Sequence, residues 1–235
     1  MKPVAIFRHA AVEGPGHLAT FLNDRGLSWR LIAIDAGDSV PASPDTFAGL
    51  VFMGGPMSVN DDLPWIPPAL SLIRQAVERD IPVLGHCLGG QLMAKALGGQ
   101  ITRNPVKEIG WGRVERADND MARAWLPAPD AFEAFHWHGE TFSIPPGATR
   151  ILTNANCANQ AFALGPHLGM QCHAEMTEAM IREWCAAGAD EIAAAADSPA
   201  VQTPERMQAL NNANLPQLHT AAETLYTRWA AGLKT

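Results

Sequence analysis

At 235 residues the chain is long enough to bury a large core and reads as one domain, or one domain with an appendage. It is 47% hydrophobic with a formal net charge of −7, and its 17 Lys and Arg form no block, which excludes general nucleic-acid binding. No apolar run approaches membrane-spanning length, and Met1-Lys2-Pro3-Val4 enters a strand rather than a signal peptide, so no membrane partner and a cytoplasmic location are expected.

Pro3 to Phe7 is a short apolar run suited to a buried strand, and Gly14-Pro15-Gly16 is turn chemistry. Leu18, Phe21 and Leu22 then recur at helical spacing until Arg25-Gly26 ends that helix. Trp29 to Ile34 is a second strand, and 36–46, with Pro41 and Pro44, is loop. Ala48 to Met53 is a third strand running into Gly54-Gly55-Pro56-Met57-Ser58. Ala69, Leu70, Ile73, Ala76 and Val77 make one helical stripe before the strand Ile81 to Leu84. Strands alternating with helices predict parallel βαβ units in an open, doubly wound sheet, whose ligands bind beyond the carboxyl ends of the strands.

After Gly98-Gly99 the pattern changes. Runs of β type at Ile109 to Val114, Ala134 to Trp137, Arg150 to Thr153 and Ala161 to Leu164 are separated by Asp118-Asn119, Pro127, Pro129 and Pro145-Pro146-Gly147. They predict a small antiparallel extension. Leu168 to His173 reads as a final strand returning to the sheet, followed by a helix over about 177–187. Pro204 suits the first turn of a helix, and Leu218, Ala222, Leu225 and Trp229 form a stripe expected to pack on its own domain. The expected organisation is a domain over 1–190 with a helical extension over 191–235.

The chemistry centres on the strand–turn–helix Val83-Leu84-Gly85-His86-Cys87-Leu88-Gly89-Gly90-Gln91. Glycines on both sides of Cys87 permit a sharp reversal, and a helix N-terminus favours the thiolate. A cysteine nucleophile needs a base and a group to orient it. His173 with Glu175 at i+2 supplies both, since i and i+2 share a face of an extended segment. The N–H groups of Gly55 and Leu88, on neighbouring strand ends, are candidate donors to an oxyanion. Cys87, Cys157, Cys172 and Cys185 match neither a metal spacing nor a disulfide framework.

Gly85-His86-Cys87-Leu88-Gly89-Gly90-Gln91 resembles the Gly-x-Cys-x-Gly-x-Gln elbow of class I glutamine amidotransferases. Gly54-Gly55-Pro56-Met57-Ser58 is similar to their oxyanion loop, and Gln171-Cys172-His173-Ala174-Glu175 to their His-x-Glu segment. The match covers about residues 3–187 and is closest to stand-alone domains of the GMP-synthase type. It implies a flavodoxin-like sheet, a Cys87–His173–Glu175 triad, an oxyanion hole at Gly55 and Leu88, and no metal or organic cofactor. It also implies substrate contacts from Gly54, Gln91 and the Trp137-His138-Gly139 loop. Trp137, Glu140 and Ala174 depart from the residues common in the family.

The expected activity is that of a stand-alone glutaminase-type enzyme, hydrolysing glutamine to glutamate and ammonia through a cysteinyl thioester; transfer of the ammonia to an unknown acceptor, on a synthetase partner chain, stays open. No nucleotide-binding Gly-x-x-x-x-Gly-Lys-Ser/Thr loop is present, so a free hydrolase of γ-glutamyl peptides or amides is an alternative. A catalytically silent binding or regulatory protein on the same fold is another. A cysteine peptidase is a third, against which Gln91 argues because it suits a small amide substrate.

Overall fold

The computed structural model describes residues 2–234, so Met1 and Thr235, at the outer ends of the two expected segments, lie outside the described residues. Strands β1 (Val4–Arg8), β2 (Trp29–Ala33), β3 (Gly49–Phe52) and β4 (Val83–His86) alternate with helices α1 (Gly16–Asp24), α2 (Ile66–Glu78) and α3 (Leu88–Ala96). β3 and β4 are buried throughout, as strands covered by helices on both faces must be. The chain continues through β5 (Ile101–Arg116), α4 (Asp120–Trp125), β6 (Ala131–Phe142), β7 (Thr149–Thr153), β8 (Ala161–Leu164) and β9 (His167–Met170). It closes with α5 (Glu178–Ala187), α6 (Ala189–Ala194), β10 (Ala200–Val201), α7 (Pro204–Ala209) and α8 (Asn211–Ala230).

All ten described strands join one sheet in the order β10-β5-β7-β8-β9-β4-β3-β1-β2, with β6 paired to β5. From β9 to β2 every pairing is parallel; from β5 to β9 the pairings are antiparallel, and β10 lies parallel to β5. The α/β class and the antiparallel extension are therefore as expected. Two apolar clusters fill the core, one containing Val51, Leu84 and Trp229 and the other Phe7, Phe52 and Leu92.

Three local expectations are corrected. The runs at 109–114 and 134–137 are the middles of two long strands, paired from Ile101↔Phe142 to Glu115↔Ala131 with a register shift between Arg103 and Glu108. Backbone pairing carries their polar ends, which apolar patterning does not reveal. The last strand stops at Met170; His173 follows in irregular chain, tied to β6 by one bridge to Phe135. Asn119, read as turn, is the N-cap of α4, its side chain accepting from the Ala122 N–H at 2.8 Å.

Helix α8 lays the predicted stripe into the core: Leu218, Ala222, Leu225 and Trp229 are all fully buried. It packs against α1, α4 and β6. No described helix is long and apolar enough to cross a membrane.

Candidate active site

Cys87 joins β4 to α3 with φ 50° and ψ −108°, a left-handed conformation that is strained for a side chain bearing a Cβ. Hydrogen bonds hold it there: its N–H donates to Met170 O at 2.8 Å, and its carbonyl accepts from Gln91 N–H at 2.9 Å. Gly89 and Gly90 let α3 approach the sheet, because a Cβ on either would collide with Phe52 O or Met170 O. The sulfur lies 3.7 Å from Trp137 O, to which a thiol donates, and accepts from Gln171 Nε2 at 3.5 Å.

His173 Nδ1 donates to Glu175 Oε1 at 2.7 Å, although both residues sit in irregular chain. His173 N–H donates to Phe135 O at 2.8 Å, and the ring stands edge-on to Trp184 with centroids 4.8 Å apart. Its Nε2 is buried without a hydrogen-bond partner. Burial alone would lower the imidazole pKa, but the charges of Glu175 and Cys87 hold it well above the ordinary value. Cys87 and His173 line the same cavity, while no hydrogen bond of good geometry joins the sulfur to Nε2. Burial alone would raise Glu175, whereas His86 and His173 pull it below the usual carboxylate range.

A second tier lies behind this pair. His86 Nε2 is 3.6 Å from Glu175 Oε2 and 2.9 Å from the Tyr226 hydroxyl on α8. His86 is fully buried, and burial lowers its pKa. The sequence marks His86 only as a space-filler and gives Tyr226 no role, because both act through contacts distant in the chain.

Gly55 and Leu88 come together: a Cβ on Gly55 would lie 2.6 Å from Leu88 Cδ2. Neither N–H donates to another described group, and Leu88, as first residue of α3, has no intrahelical partner. A cavity of about 490 Å³ opens beside Cys87 and is lined by Gly55, Gln91, His138, Gly139 and His173 among others. Gly54, Leu88 and Glu175 do not line it. Gln91 Nε2 donates to Gln171 Oε1 at 3.1 Å and to Glu140 O at 3.3 Å, leaving its carbonyl oxygen without a described partner.

The His138 ring is engaged on both sides, with Nε2 3.0 Å from Glu108 Oε2 and Nδ1 3.0 Å from Glu140 O. Glu108, His136 and His138 bring ligand-type atoms within 4.8 Å of one another. Glu108 also accepts from Asn154, Asn156 and Gln160. Burial alone would raise its carboxyl, but these bonds and the two imidazoles hold it at about 2. A carboxylate so saturated with protein donors stiffens the pairing of β5 with β6, the strand whose residues Trp137 to Glu140 line the cavity.

Residues 17–182 match the model of the family described as glutamine amidotransferase class-I. A solved glutamine amido transferase from Methylobacillus flagellatus is 45% identical, with a TM-score of 0.96 over 100% of this chain and 96% of that one. A glutamine amidotransferase from Thermotoga maritima is 28% identical, with a TM-score of 0.86 over 97% and 98%. Among curated relatives, the glutamine amidotransferase-like protein YfeJ of Salmonella typhimurium is 28% identical over 86% of this chain and 88% of its own length. A GMP synthase of Thermomicrobium roseum is 35% identical over 54% of this chain, a stretch that spans 23% of that enzyme.

Proposed function

The chain belongs to the class-I glutamine amidotransferase family, and on that premise we propose that it hydrolyses the side-chain amide of glutamine through a thioester on Cys87. The observation that carries this is the junction of three segments, in which a strained cysteine at a helix N-terminus lines one cavity with an imidazole whose other nitrogen is held by a buried carboxylate. His173 takes the thiol proton as sulfur attacks the amide carbon, and Gly55 and Leu88 N–H groups receive the oxyanion. The proton passes to the departing nitrogen, ammonia leaves, and a glutamyl thioester remains. His173 then deprotonates water, which attacks the thioester and frees glutamate. No step calls for a metal or organic cofactor.

Gln91 contributes its free carbonyl oxygen to the substrate and Gly139 contributes main chain, while Gly54, outside the cavity lining, supports the loop that carries Gly55. His138, its ring occupied by Glu108 and Glu140, shapes the loop rather than touching the substrate with a nitrogen. Residues 191–235 extend the domain 1–190 rather than forming a separate unit, and α8 buries its apolar stripe against α1 and β6 in support. One component of the glutamine-hydrolyzing GMP synthase of Sulfurisphaera tokodaii is similar to this chain, and a synthetase partner that consumes the ammonia belongs to the same reading. So does a cytoplasmic location, because Cys87 acts only as a reduced thiol.

A second reading, hydrolysis of larger γ-glutamyl amides, is favoured by the cavity, whose volume falls in the range that holds ligands of drug size. Ammonia and glutamate release from glutamine and a panel of γ-glutamyl compounds tests both. Activity is expected in the wild type and its loss in Cys87→Ala, along with labelling by a glutamine-like electrophile. Full activity in Cys87→Ala would end the proposal.

A further inference from the structure

The loop after β1 puts one carboxyl group in the cavity that no step above uses. Glu13 lines the wall with Ala10 and Val12, and neither of its oxygens bonds a described donor. It flanks Gly54 together with the catalytic imidazole: a Cβ on Gly54 would collide with Glu13 Oε2 and lie 3.0 Å from His173 Cε1. The imidazole delivers the proton to the departing nitrogen, so whatever that nitrogen carries passes this side of the cavity.

The fixed charges lining that side, the His173 imidazole apart, have one sign. No described Lys or Arg lines the cavity, and its other carboxyls are Glu140 and Glu191. Glu191 is already neutralised, by Lys107 at 2.5 Å and the Trp137 indole N–H at 2.9 Å. Trp184, edge-on to His173, and Trp137, with its ring centroid 5.9 Å from that of Trp184, supply aromatic walls. Burial, opposed by the charge of His173 and reinforced by Glu175 and Glu191, raises the Glu13 carboxyl to about 7. An acidic group beside two indoles is a receptor for an ammonium ion on an alkyl stem. A carboxylate arriving there would meet the Glu13 carboxyl, with no lysine or arginine in the described lining to pair with.

We propose that Glu13, with Trp137 and Trp184, forms a leaving-group subsite that selects γ-glutamyl amides whose amine portion carries a second, cationic amino group. The inference rests on the proposed function and deepens it by naming the substrate class. γ-Glutamyl derivatives of alkyl diamines fit the subsite; γ-glutamyl peptides, which release an amino acid bearing a carboxylate, do not. The chemistry is unchanged: the amide C–N bond breaks, His173 protonates the free amine, and water completes hydrolysis of the thioester.

The test compares kcat/KM for three amides of matched length: γ-glutamyl-1,4-diaminobutane, γ-glutamylbutylamine and γ-glutamyl-4-aminobutyrate. Wild-type enzyme is expected to prefer the cationic amide over the neutral one by about tenfold, as one partly desolvated charge pair would produce, with the anionic amide poorest. In Glu13→Gln the cationic-to-neutral ratio should collapse towards one. A wild-type preference for the anionic amide, or a ratio unmoved by Glu13→Gln, overturns the subsite. An equal loss on all three amides also overturns it, because Glu13 would then serve the shared glutamyl part. Turnover of glutamine alongside any of these results leaves the proposed function standing, whereas no turnover of glutamine or any amide by wild-type enzyme brings down both.

Discussion

Glu175 reaches His173 with one oxygen and faces His86 with the other, so its charge sets the proton affinity of the imidazole. In Glu175→Gln the side chain keeps its length and loses that charge. Burial then acts on His173 unopposed by its strongest raising influence, and the ring gives up its proton more readily. Turnover is expected to fall roughly 10²- to 10⁴-fold, the scale of neutralising the orienting carboxylate in triad enzymes, with KM little changed. Stopped assays of glutamate release read this directly, and turnover within threefold of wild type would remove Glu175 from the triad. Cys172, one residue before His173, is an internal contrast. It is wholly buried, and burial pushes its thiol far up, so alkylation at neutral pH should mark Cys87 and leave Cys172 untouched.

Helix α8 links the C-terminal segment to the site through the hydroxyl of Tyr226, 2.9 Å from His86 Nε2. Tyr226→Phe removes that partner and leaves a buried imidazole nitrogen without a hydrogen bond, Glu175 Oε2 lying 3.6 Å away. About 1–3 kcal/mol of stability should be lost, read as a lower urea midpoint at unchanged slope. Trp229→Ala on the same face should cost about 3–5 kcal/mol by opening a cavity. Equal stability of Tyr226→Phe and wild type would show that the hydroxyl does not support His86. The apolar stripe of this helix was legible in the sequence, since Leu218, Ala222, Leu225 and Trp229 repeat at helical spacing and all are buried. The Tyr226 contact was not, because it joins groups 140 positions apart and spacing carries no such information. The same division runs through the site. Glycine chemistry marks the Cys87 turn, and His173 with Glu175 is visible as a local pair. Glu13, by contrast, sits in a loop without periodicity, and Gln171 meets Cys87 only when β9 and β4 align.

At the scale of the whole molecule, buried histidines make stability depend on acidity. His9, His17, His136 and His167 are all lowered to about 4, mainly by burial, and His86 is lowered for the same reason. An unfolded histidine titrates near 6.5, so between about pH 6.5 and 4 the unfolded chain takes up protons that the folded chain refuses. Their contribution is complete above that range and is lost as pH falls through it. His173 has the opposite sign, since its folded value is raised: its contribution is full below about 6.5 and declines only on the alkaline side. Glu13, raised to about 7, binds a proton in the folded state first and offsets one histidine. Glu108, held at about 2, weakens the fold only below about pH 4.3. The net difference approaches about four protons, each worth about 1.4 kcal/mol per pH unit, against a total stability of about 5–15 kcal/mol. Urea midpoints are therefore expected to be level near pH 7 and to fall steeply between pH 6.5 and 5, with proton uptake on unfolding in that window. A midpoint that stays constant down to pH 4.5 would mean that these imidazoles are protonated in the folded chain, contrary to the burial that surrounds them.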